Sequence, residues 1–230
     1  MHPPLHPPRR PRAAAAALLA VLLACSGDVD GIRAASASPS RRPGPPPVVR
    51  TPDVPYRAIA VANDGSIRGT VEADSIPRDT VVTPARDQAV CGTSFVDRTV
   101  TATGTRLGGA VVWLEDIRTG KALPLARRFQ AATERCVVQP RVQAAVVGGT
   151  LNVATDDALT NQLLVSRDGE LLSIVRLTDF GQVVPVEQAL RRPGLVTLTS
   201  AVHPWTRGYV LVFDHPYFAV TPTRGDFRLD

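Results

Sequence analysis

The chain has 230 residues, with 26 Lys and Arg against 21 Asp and Glu, and only 4 His, 3 Cys and 1 Met. At 44% hydrophobic it carries enough apolar material for a folded core, which excludes a disordered charged tail. The net charge of +5 does not point to nucleic acid. Residues 1–55 hold seven Arg and three Asp, and the remainder is nearly balanced at 19 basic and 18 acidic groups.

Residues 1–12, MHPPLHPPRRPR, carry three Arg and no acid, and the apolar run Ala13–Ala24 follows and ends at Cys25. A basic segment before a short apolar one is the layout of a secretory signal, so 1–24 is read as a signal peptide. Twelve helical residues cover about 18 Å against roughly 30 Å of bilayer hydrocarbon, so the run is not expected to persist as a span. Its end, Leu22-Leu23-Ala24-Cys25-Ser26, resembles a bacterial lipoprotein signal. That resemblance implies cleavage before Cys25 and lipidation of Cys25, which would tether the protein to a membrane in the periplasm or cell envelope. Ordinary cleavage near Ala35-Ser36-Ala37 is the rival reading. Residues 25–55 contain Ser36, Ser38, Ser40 and the Pro43–Pro47 run, and read as a disordered Pro/Ser/Arg-rich linker.

With Cys25 assigned to lipid, Cys91 and Cys136 remain as a pair. In an oxidising compartment they read as a disulfide, which closes a loop of ~45 residues and contributes roughly 3–4 kcal/mol in the chain-entropy picture. A metal pair is the alternative, and against it stand the lack of a C-x-x-C spacing and of any His nearby.

From residue 56 onward, short β-branched runs are broken by turn residues every 8–12 positions. Strands are predicted at Ile67–Val71, Ala110–Leu114, Val142–Val147, Leu163–Ser166, Glu170–Leu177, Leu195–Ser200 and Tyr209–Phe213. One helical turn is predicted within Val186–Arg192. The fold class is all-β, a sandwich. Gly104–Gly109 lacks the βαβ setting of a dinucleotide fingerprint and reads as a hairpin turn, and Arg224-Gly225-Asp226 reads as a β-turn between strands. No G-x-S-x-G, P-loop, H-E-x-x-H or N-x-[ST] pattern is present.

Residues 200–221 run from Ser200 through His203-Pro204-Trp205-Thr206 to Tyr209-Val210, His215-Pro216-Tyr217 and Ala219-Val220-Thr221. This stretch resembles the cupredoxin-like, methylamine-utilisation-type periplasmic proteins related to plastocyanin and amicyanin. Gly149–Asn161 resembles that family's upstream strand. Cys91-Gly92, Ala110–Leu114 and Cys136-x-x-x-Pro140 resemble its N-terminal half. Ile67–Val71 is similar to the opening of a carboxypeptidase-regulatory-like sandwich. The resemblance covers about residues 57–229 and implies a cupredoxin-like or Ig-like β-sandwich over 56–230. Its regulatory-like half would be about 56–140 and its cupredoxin-like half 141–230. It also implies one further strand beyond Asp230, without which a sheet edge is exposed.

Blue copper chemistry in that family needs two imidazoles, a thiolate and a weak axial thioether. Carried onto this chain, those positions hold Thr160, His203, Ser200 and Thr206, so the resemblance implies degenerate ligands and no type 1 copper. His203 and His215, with Asp156, Asp157 or Asp214, are the weak candidates for a lesser metal site. A Ser200–His203 nucleophile pair lacks any signalled orienting acid or oxyanion loop, so the chain is read as a non-enzyme.

Five of the eleven aromatics fall between Trp205 and Phe218. Tyr209 and Phe213 share strand parity and are read as core. Trp205 follows Pro204 in a turn and is read as an exposed ring, able to contact a carbohydrate or a periplasmic protein partner. The functional expectation is a non-enzymatic, membrane-tethered or secreted binding module without a cofactor or a nucleic-acid partner. The alternative is a periplasmic electron-transfer or copper-handling protein with an atypical site around His203.

Overall fold

The computed structural model describes residues 54–98 and 100–230. The predicted signal segment, Cys25 and nearly all of the linker lie outside the described residues.

Alternation of apolar and polar residues builds the strands. In Asn161–Arg167 every second side chain is buried, so Leu163 and Val165 line the core while Gln162 and Leu164 face outward. Five such strands form one sheet in the order Val142–Val146, Arg207–Phe213, Gly194–Ser200, Asn161–Arg167, Glu170–Leu177. Four more form a second sheet in the order Val137–Gln139, Arg128–Glu134, Thr150–Thr155, Val183–Val186. Each sheet contains one parallel pair, Val142–Val146 with Arg207–Phe213 and Thr150–Thr155 with Arg128–Glu134; the other neighbours are antiparallel.

The two sheets close on one apolar core. Leu151, Val153, Ala131 and Val186 from the four-stranded sheet meet Leu163, Val165, Val196, Leu198, Val210 and Val212 from the five-stranded one. Gly208 permits the close approach at one end, because a Cβ there would stand 2.6 Å from Val138 Cγ1. The chain is thus an all-β sandwich.

The outer face of the five-stranded sheet is covered as well. Ala144, Leu211 and Phe213 pack there against Val111, Trp113, Leu195, Phe218 and Val220. A strand buried on both faces reads as a continuous apolar run, which accounts for Val210-Leu211-Val212-Phe213. Phe213 is therefore core, but of this second layer. Tyr209, with the same parity, sits beyond that layer's edge and is half-buried, which corrects its assignment to the core.

The seven predicted strands are present with ends shifted by at most two residues, and the predicted helical turn is a 3-10 turn at Glu187–Leu190. Gly104, at φ +61°, turns the hairpin Thr101–Thr103/Arg106–Gly108, and Gly225, at φ +76°, ends the turn before Asp226–Leu229. Short N-terminal strands are stitched to the far end of the chain: Ile67–Thr70 pairs with Asp226–Leu229, and Val111–Trp113 with Phe218–Val220. Hydrogen-bonded pairs thus cross position 140. Among the described residues, no helix is long and apolar enough to cross a membrane.

Candidate functional site

The strands Gly194–Ser200 and Arg207–Phe213 are joined by a loop that its own polar atoms hold shut. Ser200 N–H donates to Thr206 O at 3.1 Å, and Thr206 N–H donates to His203 O at 2.9 Å. The Ser200 hydroxyl donates to Asn161 Oδ1 at 2.7 Å and accepts the N–H groups of Val202 and His203 at 3.1 and 3.0 Å. Thr206 Oγ1 donates to the Cys136 carbonyl. Both hydroxyls are buried and spoken for by the loop.

His203 is fully buried at the loop's centre. Its Nε2 stands 3.0 Å from Asp87 Oδ2 and 3.8 Å from Cys91 Sγ, while Nδ1 is buried without a partner. A carboxylate can only accept, so Nε2 carries the hydrogen toward Asp87. Cys91 and Cys136 form a disulfide with a Cα–Cα distance of 5.2 Å. The fold therefore places a His directly against the cysteine pair, correcting the expectation that none lies nearby. Cys136 occupies the second position of the two-residue loop between Arg128–Glu134 and Val137–Gln139, where both Arg135 and Cys136 have positive φ, 51° and 62°. That is the backbone of a type I′ hairpin, costly for residues with a Cβ. Asp157 steadies it, accepting Cys136 N–H at 3.0 Å.

These residues do not fit a type 1 copper ion. Thr160 is exposed, and its buried neighbour Asn161 is the residue that faces the loop. Ser200 and Thr206 offer hydroxyls already used in hydrogen bonds, and neither can supply thiolate or thioether donation. Only the lone pair of His203 Nδ1 is free. The Ser200 hydroxyl and the His203 imidazole are not bonded to each other either; Ser200 touches the backbone N–H of His203.

His215 lies past the other end of Arg207–Phe213, about 20 Å along the strand from His203. Burial holds its imidazole below the usual histidine range, against the opposing pull of Asp214 and of a hydrogen bond to the Leu114 backbone. Its Nδ1 accepts Tyr217 N–H at 3.2 Å, and its ring packs near Phe213, Tyr56 and Tyr217. The two histidines serve separate places. Asp156 is exposed and Asp157 is committed to Cys136 N–H, so neither completes a cluster with them.

Trp205 is half-buried, not freely exposed. Its ring lies 5.2 Å from His203 and meets Phe95 edge-on at 6.1 Å. Its outer side, with Tyr209, Pro204 and the ion pair Arg141–Asp97 at 2.6 Å, lines a concavity of about 360 Å³. A larger cleft of about 1100 Å³, which shares Asp97 and Arg141 with the first, is lined by Phe95 and reaches Cys91.

Asp87 gave no signal in the sequence. It sits at φ 56° ahead of the four-residue helix Gln88–Cys91, and only folding brings its carboxylate to His203.

No protein-family model and no curated protein matches the chain. Among solved structures it is similar to a copper-containing nitrite reductase from Thermus scotoductus SA-01, at 17% identity over 46% of this chain and TM-score 0.34. That match spans 26% of the reductase chain. It is also similar to a purple cupredoxin from Nitrosopumilus maritimus, at 18% identity over 37% of this chain and 99% of the other, TM-score 0.31. A methionine-to-leucine mutant of amicyanin matches at 16% identity over 37% of this chain and 81% of its own, TM-score 0.32.

Proposed function

We propose that the chain is a binding module of the β-sandwich class, cupredoxin-like over 141–230, in which the copper-ligand loop has become a hydrogen-bonded scaffold. The observation that carries this reading is the Ser200 hydroxyl, which stands at the thiolate position and closes the loop through three hydrogen bonds. The loop so fixed presents Trp205 beside Tyr209 and the Arg141–Asp97 pair. A flat ring next to paired charges suits a saccharide, which stacks its apolar face and hydrogen-bonds its hydroxyls. Lipidation at Cys25 would hold this module at a membrane face of the cell envelope, with residues 25–55 as the spacer. No enzymatic step is assigned to it.

Two measurements on the full chain test the reading. Copper(II) titration of the oxidised chain, its Cys91–Cys136 disulfide intact, should give neither saturable uptake nor a thiolate-to-copper charge-transfer band; the appearance of that band in the oxidised chain would overturn it in favour of electron transfer. Intrinsic fluorescence against a panel of soluble oligosaccharides should show saturable quenching that Trp205→Ala abolishes. Quenching untouched by that substitution, or absent across the panel, rejects the saccharide surface; a protein recovered by cross-linking at Trp205 would then identify a protein partner in its place. Incorporation of a fatty-acid analogue in wild type and its loss in Cys25→Ala tests the anchor.

A further inference from the structure

Cys91, Cys136 and His203 are all buried, and their ligand atoms lie within 4.8 Å of one another. Asp87 places a carboxylate oxygen 3.0 Å from His203 Nε2 but stands outside that 4.8 Å group, so its side chain must swing toward the sulfurs to join them. The geometry points to a second, reduced state of this cluster, in which the cysteine pair is a dithiol and Cys91, Cys136, His203 and Asp87 bind one zinc-class divalent cation. Disulfide and metal are then mutually exclusive occupants of one place. This inference does not depend on the proposed saccharide surface.

The distances suit the ion. A tetrahedral centre with bonds of about 2.3 Å to sulfur and about 2.0 Å to nitrogen or oxygen has sulfur–nitrogen edges of roughly 3.5 Å and nitrogen–oxygen edges of roughly 3.3 Å. The corresponding separations here are 3.8 Å for Cys91 Sγ to His203 Nε2 and 3.0 Å for His203 Nε2 to Asp87 Oδ2. The two sulfurs, once unbonded, move apart to the roughly 3.8 Å of a sulfur–sulfur edge. Two thiolates, an imidazole and a carboxylate are a donor set that zinc takes readily, and the site is far too soft for magnesium or calcium. It also differs in place and donors from a blue copper centre. The ligand atom is Nε2, the sulfurs come from residues 91 and 136, and Ser200 and Thr206 take no part.

The chemistry balances. A small dithiol reductant passes two electrons and two protons to the Cys91–Cys136 bond and leaves as its own disulfide. Zinc then displaces the two thiol protons to solvent, giving two zinc–sulfur bonds, while the hydrogen on His203 Nε2 moves to the unpartnered Nδ1. Asp87 binds as the carboxylate it already is. Cys91 borders the cleft of about 1100 Å³, which gives an attacking thiolate its way in. Cys136 is fully enclosed, so Cys91 is the sulfur attacked.

The test uses the full chain, oxidised and then reduced with a phosphine, and cobalt(II) or zinc(II) alone as the probe. The reduced protein should bind one cobalt with a thiolate-to-cobalt charge-transfer band and tetrahedral visible bands, displaced by zinc with two protons released per metal. The oxidised protein should bind none. His203→Ala should weaken binding by about 100-fold and Asp87→Asn by about 10-fold, while His215→Gln, at the far end of the strand, should leave affinity unchanged. Because loss of the disulfide loosens the fold, near-ultraviolet dichroism is followed in parallel, and zinc should restore the native signal of the reduced chain. Equal binding by the oxidised form overturns the assignment. So does unchanged affinity in His203→Ala, or a reduced chain that neither binds zinc nor recovers its fold with it.

Discussion

Ser200 Oγ and Asn161 Oδ1 are joined by a 2.7 Å hydrogen bond across 39 residues of sequence. It ties the start of the His203 loop to the start of the adjacent strand, Asn161–Arg167. The orientation of the amide is fixed independently, since Gln162 N–H donates to the same oxygen at 2.8 Å. Ser200 therefore acts as a loop latch.

Removing the latch should be costly. In Ser200→Ala two loop N–H groups lose their acceptor, that of His203 being buried, and we expect a loss of about 2–3 kcal/mol in urea unfolding. Ser200→Thr retains the hydroxyl and should lose less than half of that. Equal losses in the two variants would show that packing, not hydrogen bonding, governs the position.

Arg167 works as a clamp between the five-stranded sheet and the 3-10 turn Glu187–Leu190. Its side chain is buried, and one terminal nitrogen donates to both Gln188 O and Ala189 O at 2.8 Å. Arg167→Met keeps the bulk of the stem and strands those carbonyls. We expect about 2–4 kcal/mol of destabilisation, measured as a lower urea midpoint with an unchanged slope.

His215 makes the protein sensitive to mild acid. Burial lowers its folded pKa below the usual value of about 6.5, so as pH falls the unfolded chain takes up the proton first. Its contribution is present above about pH 6.5 and is lost as pH drops through the lower folded value. Protonation would also remove the lone pair on Nδ1 that accepts Tyr217 N–H. The thermal midpoint should fall between about pH 7 and pH 5, and His215→Gln should flatten that slope.

Tyr56 resists ionisation at alkaline pH. Burial, then the neighbouring Tyr217, pushes its phenol up to about 12, and its hydroxyl donates to Lys121 O at 2.5 Å. Here the unfolded chain loses its proton first. The contribution is complete below about pH 10 and disappears as pH rises toward 12. Ultraviolet titration should show one phenol ionising late, and Tyr56→Phe should remove that late step.

Much of the architecture was written in local chemistry. Val142–Val146, Asn161–Arg167 and Tyr209–Phe213 are β-branched or alternating runs between Gly and Asp turns, and each forms its predicted strand. Arg128–Glu134 was not visible, because it presents alanines and polar residues where a buried strand usually shows Val or Ile. It is held instead by parallel pairing to Thr150–Thr155, a neighbour that composition does not announce.

The scarcity of histidine, methionine and cysteine, together with the balanced charge past residue 55, was fixed by composition alone. Past residue 55 there is no methionine, so no arrangement of that part of the chain can supply the axial thioether of a blue centre. Folding decided which of the remaining groups meet. Asp87 and Cys91 lie more than a hundred residues before His203, and Asn161 lies thirty-nine before Ser200. They converge because two sheets close on a shared core and leave the strand ends gathered at one rim. Sequence spacing carries no record of that convergence, so the disulfide–histidine–carboxylate cluster belongs to the tertiary structure alone.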